Sequence, residues 1–150
     1  MIKNVAEFIK QIHGWEFPIS PEKICSKLNI QIERKDLPQY IKSYYTSDTK
    51  TITINSTLDK YKSRMAIAME IRQSQSKEIL RVSEKEQFGI ELLMPTSEFI
   101  KVWSESAPAE VMECSIYFDV SPNMVISRVK YLHRKRFLQP KIHKNLSDII

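Results

Sequence analysis

The segment Met69-Glu70-Ile71-Arg72-Gln73 has the spacing of a zinc-binding helix without its metal ligands. In the H-E-x-x-H motif the two histidines lie four residues apart on one helix face and bind one metal ion. The glutamate beside the first histidine polarises a bound water. Here the glutamate is present as Glu70, but Met69 offers a thioether and Gln73 an amide oxygen, and neither is a usual protein ligand of zinc. The segment therefore keeps the general base of a metallopeptidase and lacks both imidazoles.

No other group of residues supplies the missing ligands. His13, His133 and His143 are scattered, and no two of them have metal-ligand spacing. Cys25 and Cys114 lie far apart in apolar helical patterns, which favours small buried thiols over a disulfide or a metal role. We therefore expect that zinc has been lost and that no other cofactor is bound.

The composition of the 150-residue chain, with 42% hydrophobic and 27% charged residues, is ordinary for a globular protein. Its two glycines leave little room for phosphate-binding loops, and neither G-x-G-x-x-G nor G-x-x-x-x-G-K-[ST] occurs. Charged residues interrupt the N-terminal apolar pattern, so a signal peptide is not indicated, and no apolar run has transmembrane length. These features predict a cytoplasmic protein without a membrane partner.

Apolar periodicity predicts two helices followed by three strands. Residues 2–13 have helical spacing and end near Gly14, and Ser20 and Pro21 begin a second helix as N-cap and first-turn residue. Three segments then alternate apolar and polar residues with the period of a strand, namely 30–37, 40–48 and 50–57. The last two are separated by a turn at residues 47–50, which predicts a hairpin. We expect a small three-stranded antiparallel sheet.

The rest of the chain is predicted to be helical. A helical pattern runs from residue 58 to about residue 82, with a break open at the polar stretch QSQSKE. A further helix, KEQFGIELLMP, ends at Pro95, and a short helix follows. A final helical pair is joined by residues 119–122. The predicted fold class is α+β, with residues 1–95 as one domain and residues 96–150 as a basic helical part packed on it.

Five segments occur in an order that is hard to obtain by chance. SPEKICSKLNI is a Pro-initiated helix, IQIERKDLP a strand, and SYYTSDTKTITIN a tyrosine-bearing hairpin that ends in Asn. Residues 64–73 follow R-F-x-x-A-H-E-x-x-H, and residues 84–95 follow E-A-N-x-F-A-A-E-L-L-M-P, where ELLMP is the most specific match. On these segments, residues 18–95 resemble the ImmA/IrrE-type metallopeptidase family, or IrrE N-terminal-like domain. The resemblance implies a zincin-like metallopeptidase scaffold.

The resemblance also implies a role for each position of the former site. Met69 and Gln73 stand where the two zinc-binding histidines would be, and Glu70 stands at the general-base position. Glu84 matches the acidic residue that would supply the third ligand, although the linker before it is shorter than is usual in the family. The two carboxylates could hold a hard cation weakly through water, or serve as surface or capping groups. Because no catalytic constellation is intact, we expect a pseudoenzyme.

The C-terminal region combines a helix-turn-helix pattern with positive charge. FDVSPNMVISRVKYLHRKRFL has the shape of a recognition segment, with Val125, Val129 and Leu132 facing inward. Residues 122–150 contain seven Lys or Arg and one acidic residue, so they carry +6 while the rest of the chain carries −1. A solvated basic face and a DNA-binding face both remain open, because the family often has a similar stretch after its L-L-M-P run. The residues that could contact DNA are Ser121, Asn123, Ser127, Arg128, Lys130, Arg134, Lys135 and Arg136.

Active relatives, as the resemblance implies, are proteases that cleave helix-turn-helix repressors. A relative without zinc could keep the surface that recognises a repressor or another regulator. We therefore expect a catalytically inactive ImmA/IrrE-like protein that acts by protein binding, as an antirepressor in a phage or mobile-element circuit. Two alternatives remain open. One is a DNA-binding regulator that uses the basic C-terminal helices, and the other is a divergent zinc-dependent repressor-cleaving peptidase that uses Glu70 and Glu84.

Overall fold

The computed structural model describes residues 4–105 and 110–138, which contain seven helices and three strands. The helices are α1 (Val5–Ile12), α2 (Pro21–Lys27), α3 (Lys60–Ser74), α4 (Val82–Leu93), α5 (Thr96–Glu105), α6 (Val111–Phe118) and α7 (Pro122–Arg134). The strands are β1 (Gln31–Lys35), β2 (Ser43–Thr46) and β3 (Thr51–Asn55). The predicted α+β class is confirmed. The chain divides into two compact units with the boundary between Leu93 and Met94, which we call unit 1 and unit 2.

The sheet of unit 1 has the strand order β1-β3-β2 and is mixed rather than antiparallel. β2 and β3 form the predicted antiparallel hairpin, with Ser43 opposite Ile54. β1 runs parallel to β3, with Gln31 opposite Thr51, so the prediction of an all-antiparallel sheet is wrong. An alternating pattern reports that one face of a strand is buried, but the direction of its neighbour depends on the connection between them.

The connection between β1 and β2, residues 36–42, explains this topology. The side chain of Asn55, at the end of β3, places Nδ2 3.1 Å from the carbonyl of Leu37, 3.3 Å from that of Pro38 and 2.9 Å from that of Ile41. A loop gathered in this way passes the end of β3 before it enters β2. The hairpin then returns the chain as β3 between the two earlier strands, parallel to β1.

The helix α3 is central to unit 1 and packs against α2, α4, β2 and β3. It begins after the N-cap Asp59, whose carboxylate accepts the N–H of Lys62 at 2.8 Å. The neighbouring helix α4 approaches closely at Gly89, where an added Cβ would lie 3.0 Å from Cε and Sδ of Met65. A residue without a side chain therefore allows the two helices to meet along the face that carries the Glu70 segment.

His13 joins the first two helices of unit 1. Its Nε2 accepts the backbone N–H of Ser20 at 3.0 Å, and its Nδ1 lies 2.8 Å from the carbonyl oxygen of Gly14. Since a backbone N–H can only donate, Nε2 is the unprotonated nitrogen and Nδ1–H donates to Gly14. Ser20 in turn accepts the N–H of Lys23 as the N-cap of α2, as predicted. Both ring nitrogens of His13 therefore hydrogen-bond to the backbone of the segment between α1 and α2.

Unit 2 combines an aromatic core with a helix-turn-helix. Phe99 stacks on both Trp103 and Phe118, with ring centroids 6.2 and 5.6 Å apart. The helices α6 and α7 pack together and are joined by a three-residue turn. Asp119 adopts the left-handed conformation with φ 52°, which ends α6, and Ser121 caps α7 by accepting the N–H of Met124.

Both cysteines are buried and unpaired, as predicted. Burial raises the pKa of the Cys25 thiol from 9.0 to about 12, and Glu22 adds to the shift. Burial likewise raises the pKa of the Cys114 thiol to about 12, with Glu113 adding to it. At pH 8 the fraction of reactive thiolate is therefore lower by about a thousandfold than for an unperturbed thiol.

We expect the folded protein to react with iodoacetamide at pH 8 at least about a hundredfold more slowly than the protein unfolded in urea. Intact-mass spectrometry over time measures both rates, and the variants Cys25→Ser and Cys114→Ser separate the two sites. The folded pKa lies above the unfolded value, so each thiol favours the folded state below pH 9.0, and this contribution is lost as the pH rises towards 12. Rapid alkylation of either thiol in the folded protein would contradict the burial.

Candidate functional site

Glu70 lies on α3 and forms an ion pair with Lys85 of α4. Lys85 Nζ donates to Oε1 of Glu70 at 2.7 Å. The Glu70 side chain is 1% exposed and that of Lys85 is 16% exposed, so the pair is largely out of water. The second oxygen, Oε2, is buried and has no hydrogen-bond partner among the described residues. The retained carboxylate of the sequence motif is therefore neutralised by a lysine of the next helix.

This pairing changes the chemistry open to Glu70. A general base needs an oxygen directed at the water or substrate proton that it accepts. Oε1 of Glu70 is occupied by an ammonium group, and the side chain is almost entirely shielded from solvent. Removal of either charge would leave the other buried without a partner, which is strongly unfavourable. In this structure the carboxylate links α3 to α4.

Gln73 holds the connection between α3 and α4. Its Nε2 donates to the carbonyl oxygen of Glu78 at 2.8 Å, and its Oε1 accepts the N–H of Leu80 at 3.0 Å. Both ends of the amide are thus used within the loop. Met69 is half-buried, and its Cγ would lie 3.3 Å from a Cβ at Gly89, so its side chain lies against α4.

Glu84 pairs with Arg81 near the protein surface. Arg81 Nε donates to Glu84 Oε1 at 3.2 Å, and the two side chains are 82% and 39% exposed. A pair this exposed contributes little to stability. Because the two residues lie three positions apart at the start of α4, the contact is local to that helix end.

These side chains do not fit a zinc ion. A catalytic zinc site needs three ligands, drawn from imidazole, thiolate and carboxylate, around an open position. The thioether of Met69 is a poor ligand, the amide of Gln73 is committed to the loop, and Glu84 is paired with an arginine. Residues 4–105 and 110–138 contain no group of three or more His, Cys, Asp or Glu that could hold a metal ion. No zinc-dependent chemistry is assigned to them.

Lys85 is the functional residue that the motif comparison missed. The family segment quoted above has Ala at this position, so the lysine is a departure from it. A signal for it was present, because Lys85 lies three, four and seven positions before the buried residues Phe88, Gly89 and Leu92. A charge on the buried face of a helix requires a partner, and Glu70 is the buried acidic residue on the facing helix.

Arg128 does not occupy the position expected of a DNA contact. It is 5% exposed, and one of its terminal nitrogens donates to the carbonyl of Met94 and to Oγ1 of Thr96, each at 2.9 Å. The guanidinium therefore joins α7 to the start of α5 inside unit 2. The sequence pattern predicts Arg128 on the outer face of α7, because a charged residue in a basic helix is usually solvated.

The other predicted DNA contacts lie at or near the surface of unit 2. Asn123 is exposed in the first turn of α7, and Lys130 is half-buried further along it. Arg134, Lys135 and Arg136 are exposed and follow one another at the C-terminal end of the helix. The basic cluster therefore lies far along α7 from the N-terminal residues that read bases in a helix-turn-helix.

The fold is an α+β domain in which the helix α3, packed on a small mixed sheet, carries a buried glutamate that is paired with a lysine of α4. A model of the peptidase family described as the IrrE N-terminal-like domain matches residues 25–130, and the chain belongs to this family. No curated protein matches the chain.

Nine solved chains match in structure. A Mycobacterium tuberculosis transcriptional regulator aligns with a TM-score of 0.59 and 18% identity, over 73% of this chain and 39% of the regulator. At this identity the likeness concerns the fold alone. Because the match covers 39% of the regulator, the chain spans well under half of the regulator's length. Within the described part of the chain, no helix is long and apolar enough to cross a membrane.

We expect Lys85→Met to lower the free energy of unfolding by about 3–5 kcal/mol, because it leaves the carboxylate of Glu70 buried without a counter-charge. The double variant Glu70→Gln/Lys85→Met should lose clearly less than the sum of its two single variants. Urea unfolding of the four proteins measures this coupling.

The matched control is the exposed pair of Arg81 and Glu84. The cycle built from Arg81→Met and Glu84→Gln should give a coupling of at most about 1 kcal/mol. Additive effects of the Glu70 and Lys85 substitutions would contradict the buried ion pair.

Proposed function

We propose that this protein is a non-hydrolytic member of the IrrE-like family that acts by binding another regulatory protein, with a helix-turn-helix repressor as the first candidate. The observation that carries the proposal is the altered use of the motif helix. Glu70 is held by Lys85, and Gln73 holds a loop, on a helix that packs against the sheet. A scaffold of this kind can retain recognition after the groups needed for hydrolysis have taken other roles.

Unit 1 offers a surface suited to such binding, which we call the β2 edge and define by Tyr40 and the strand β2. Among the described strands β2 pairs with β3 alone, so its other edge can accept an extended peptide. Tyr40 is 85% exposed and Tyr44 on β2 is 40% exposed. Exposed tyrosines are common anchors in protein interfaces because a large ring is buried at little entropic cost.

The regulatory assignment draws further support from the structural match, since the Mycobacterium tuberculosis protein is described as a transcriptional regulator. Together with family membership, this favours a partner that controls transcription. An antirepressor role in a phage or mobile element would be one such function.

We expect the purified protein to retain one or more helix-turn-helix repressors from a panel cloned from its native host. Tyr40→Ala/Tyr44→Ala should weaken the complex at least about tenfold in calorimetry, because it removes two exposed anchors of the β2 edge. Ile79→Ala is the matched control, since Ile79 is a fully exposed apolar residue (96%) elsewhere on unit 1, and it should bind like the wild type.

The mass of the recovered partner separates binding from hydrolysis. An intact repressor supports the binding role. Cleaved repressor, with cleavage lost in Glu70→Ala, would replace it with a divergent peptidase. A panel in which no repressor is retained or cleaved would count against both.

DNA binding through unit 2 is the second candidate function. The observation in its favour is the three-residue turn between α6 and α7 together with the exposed cluster Arg134, Lys135 and Arg136. Because this cluster lies at the end of α7, it is placed to contact phosphates rather than base edges.

If DNA is bound, Arg134→Ala/Lys135→Ala/Arg136→Asn should reduce the slope of log K against log salt by about 2–3 in a mobility-shift series. Asn is chosen at position 136 because the residue there has φ 62°, which Asn tolerates. Lys23→Ala/Lys27→Ala/Lys62→Ala removes as many exposed charges from unit 1 and should leave the slope unchanged. Salt-insensitive or absent binding of the wild type would eliminate this candidate.

A further inference from the structure

The loop before α4 and the contact between α3 and α4 both position the ion pair of Glu70 and Lys85. Lys85 Nζ is fixed 2.7 Å from Oε1, in a pair that is 1% and 16% exposed. Gln73 holds the loop before α4 through the backbone of Glu78 and Leu80, which fixes where α4 begins. Gly89 then lets α4 lie close to α3 one helical turn beyond the lysine. The ammonium is thus positioned by the helix and loop rather than by the ion pair alone.

We infer that Lys85 is a built-in counter-cation that closes the Glu70 position to metal ions. A carboxylate buried to this degree is stabilised by a positive charge nearby, and the ammonium of Lys85 supplies it at 2.7 Å. A divalent ion that approached Glu70 would meet a fixed like charge in a region of low dielectric constant, where repulsion is strong. The inference concerns the metal independence of unit 1 and holds whichever partner the protein binds.

The consequence is that restoring the two imidazoles does not by itself restore a metal site. The missing ligands at positions 69 and 73 are one barrier, and the ammonium of Lys85 is a second barrier that acts independently of them. Removal of the lysine lowers the second barrier and leaves Oε1 of Glu70 without its ammonium partner.

Zinc titration calorimetry on three variants tests this inference. Met69→His/Gln73→His supplies the imidazoles with the lysine in place. Met69→His/Gln73→His/Lys85→Ala removes the lysine and should bind Zn²⁺ at least tenfold more tightly. Met69→His/Gln73→His/Lys77→Ala is the charge-matched control, because Lys77 is an exposed lysine of the same region, and it should bind like the first variant.

Equal zinc affinity with and without Lys85, including no binding by either variant, would overturn the inference. If Gln73→His disrupts the loop and circular dichroism shows unfolding, Met69→His and Met69→His/Lys85→Ala provide the same comparison with the loop hydrogen bonds intact, measured with Cu²⁺. There too the variant without the lysine must bind at least tenfold more tightly. For the wild type, the unfolding midpoint in urea should be the same with and without EDTA.

Discussion

A buried carboxylate needs a counter-charge, and in unit 1 the resulting ion pair connects the neighbouring helices α3 and α4. Glu70 is 1% exposed, and the ammonium group of Lys85 lies 2.7 Å from its Oε1. The lysine is in turn positioned by α4, whose start is fixed by the amide of Gln73 and whose approach to α3 depends on Gly89. The charge pair, the loop and the helix contact therefore form one connected structure around the motif helix.

The side chains at positions 69, 70 and 73 each make a structural contact within unit 1. At position 73, an imidazole would offer one donor and one acceptor in a rigid ring, whereas the glutamine amide reaches two backbone groups of the loop at once. At position 69, a thioether lies against α4 and adds apolar contact. Met69, Glu70 and Gln73 therefore each make contacts within unit 1, to α4 or to the loop that precedes it.

Local patterns were enough to predict the N-cap of α2, the hairpin of unit 1 and the polar stretch at which α3 ends, because capping, alternation and helix breaks depend on neighbouring residues. The parallel pairing of β1 could not be read in this way, since it depends on how Asn55 gathers the loop that precedes β2. Arg128 and Lys85 show the same limit for charges. Arg128 looks like a solvated residue of a basic helix, whereas Lys85 lies on the apolar face of α4. Both have partners distant in sequence that only the tertiary structure brings near.

The positively charged residues of α7 in unit 2 have a structural role in the middle of the helix and a surface position at its end. Arg128 lies in the middle of α7, where its guanidinium satisfies the carbonyl of Met94, and it is therefore not available to an external partner. The exposed positive charges come later, at residues 134–136, where the field of the helix C-terminus already favours cations. A partner that contacted this cluster would recognise its charge rather than a base sequence, because side chains at this end of α7 are placed to contact phosphates.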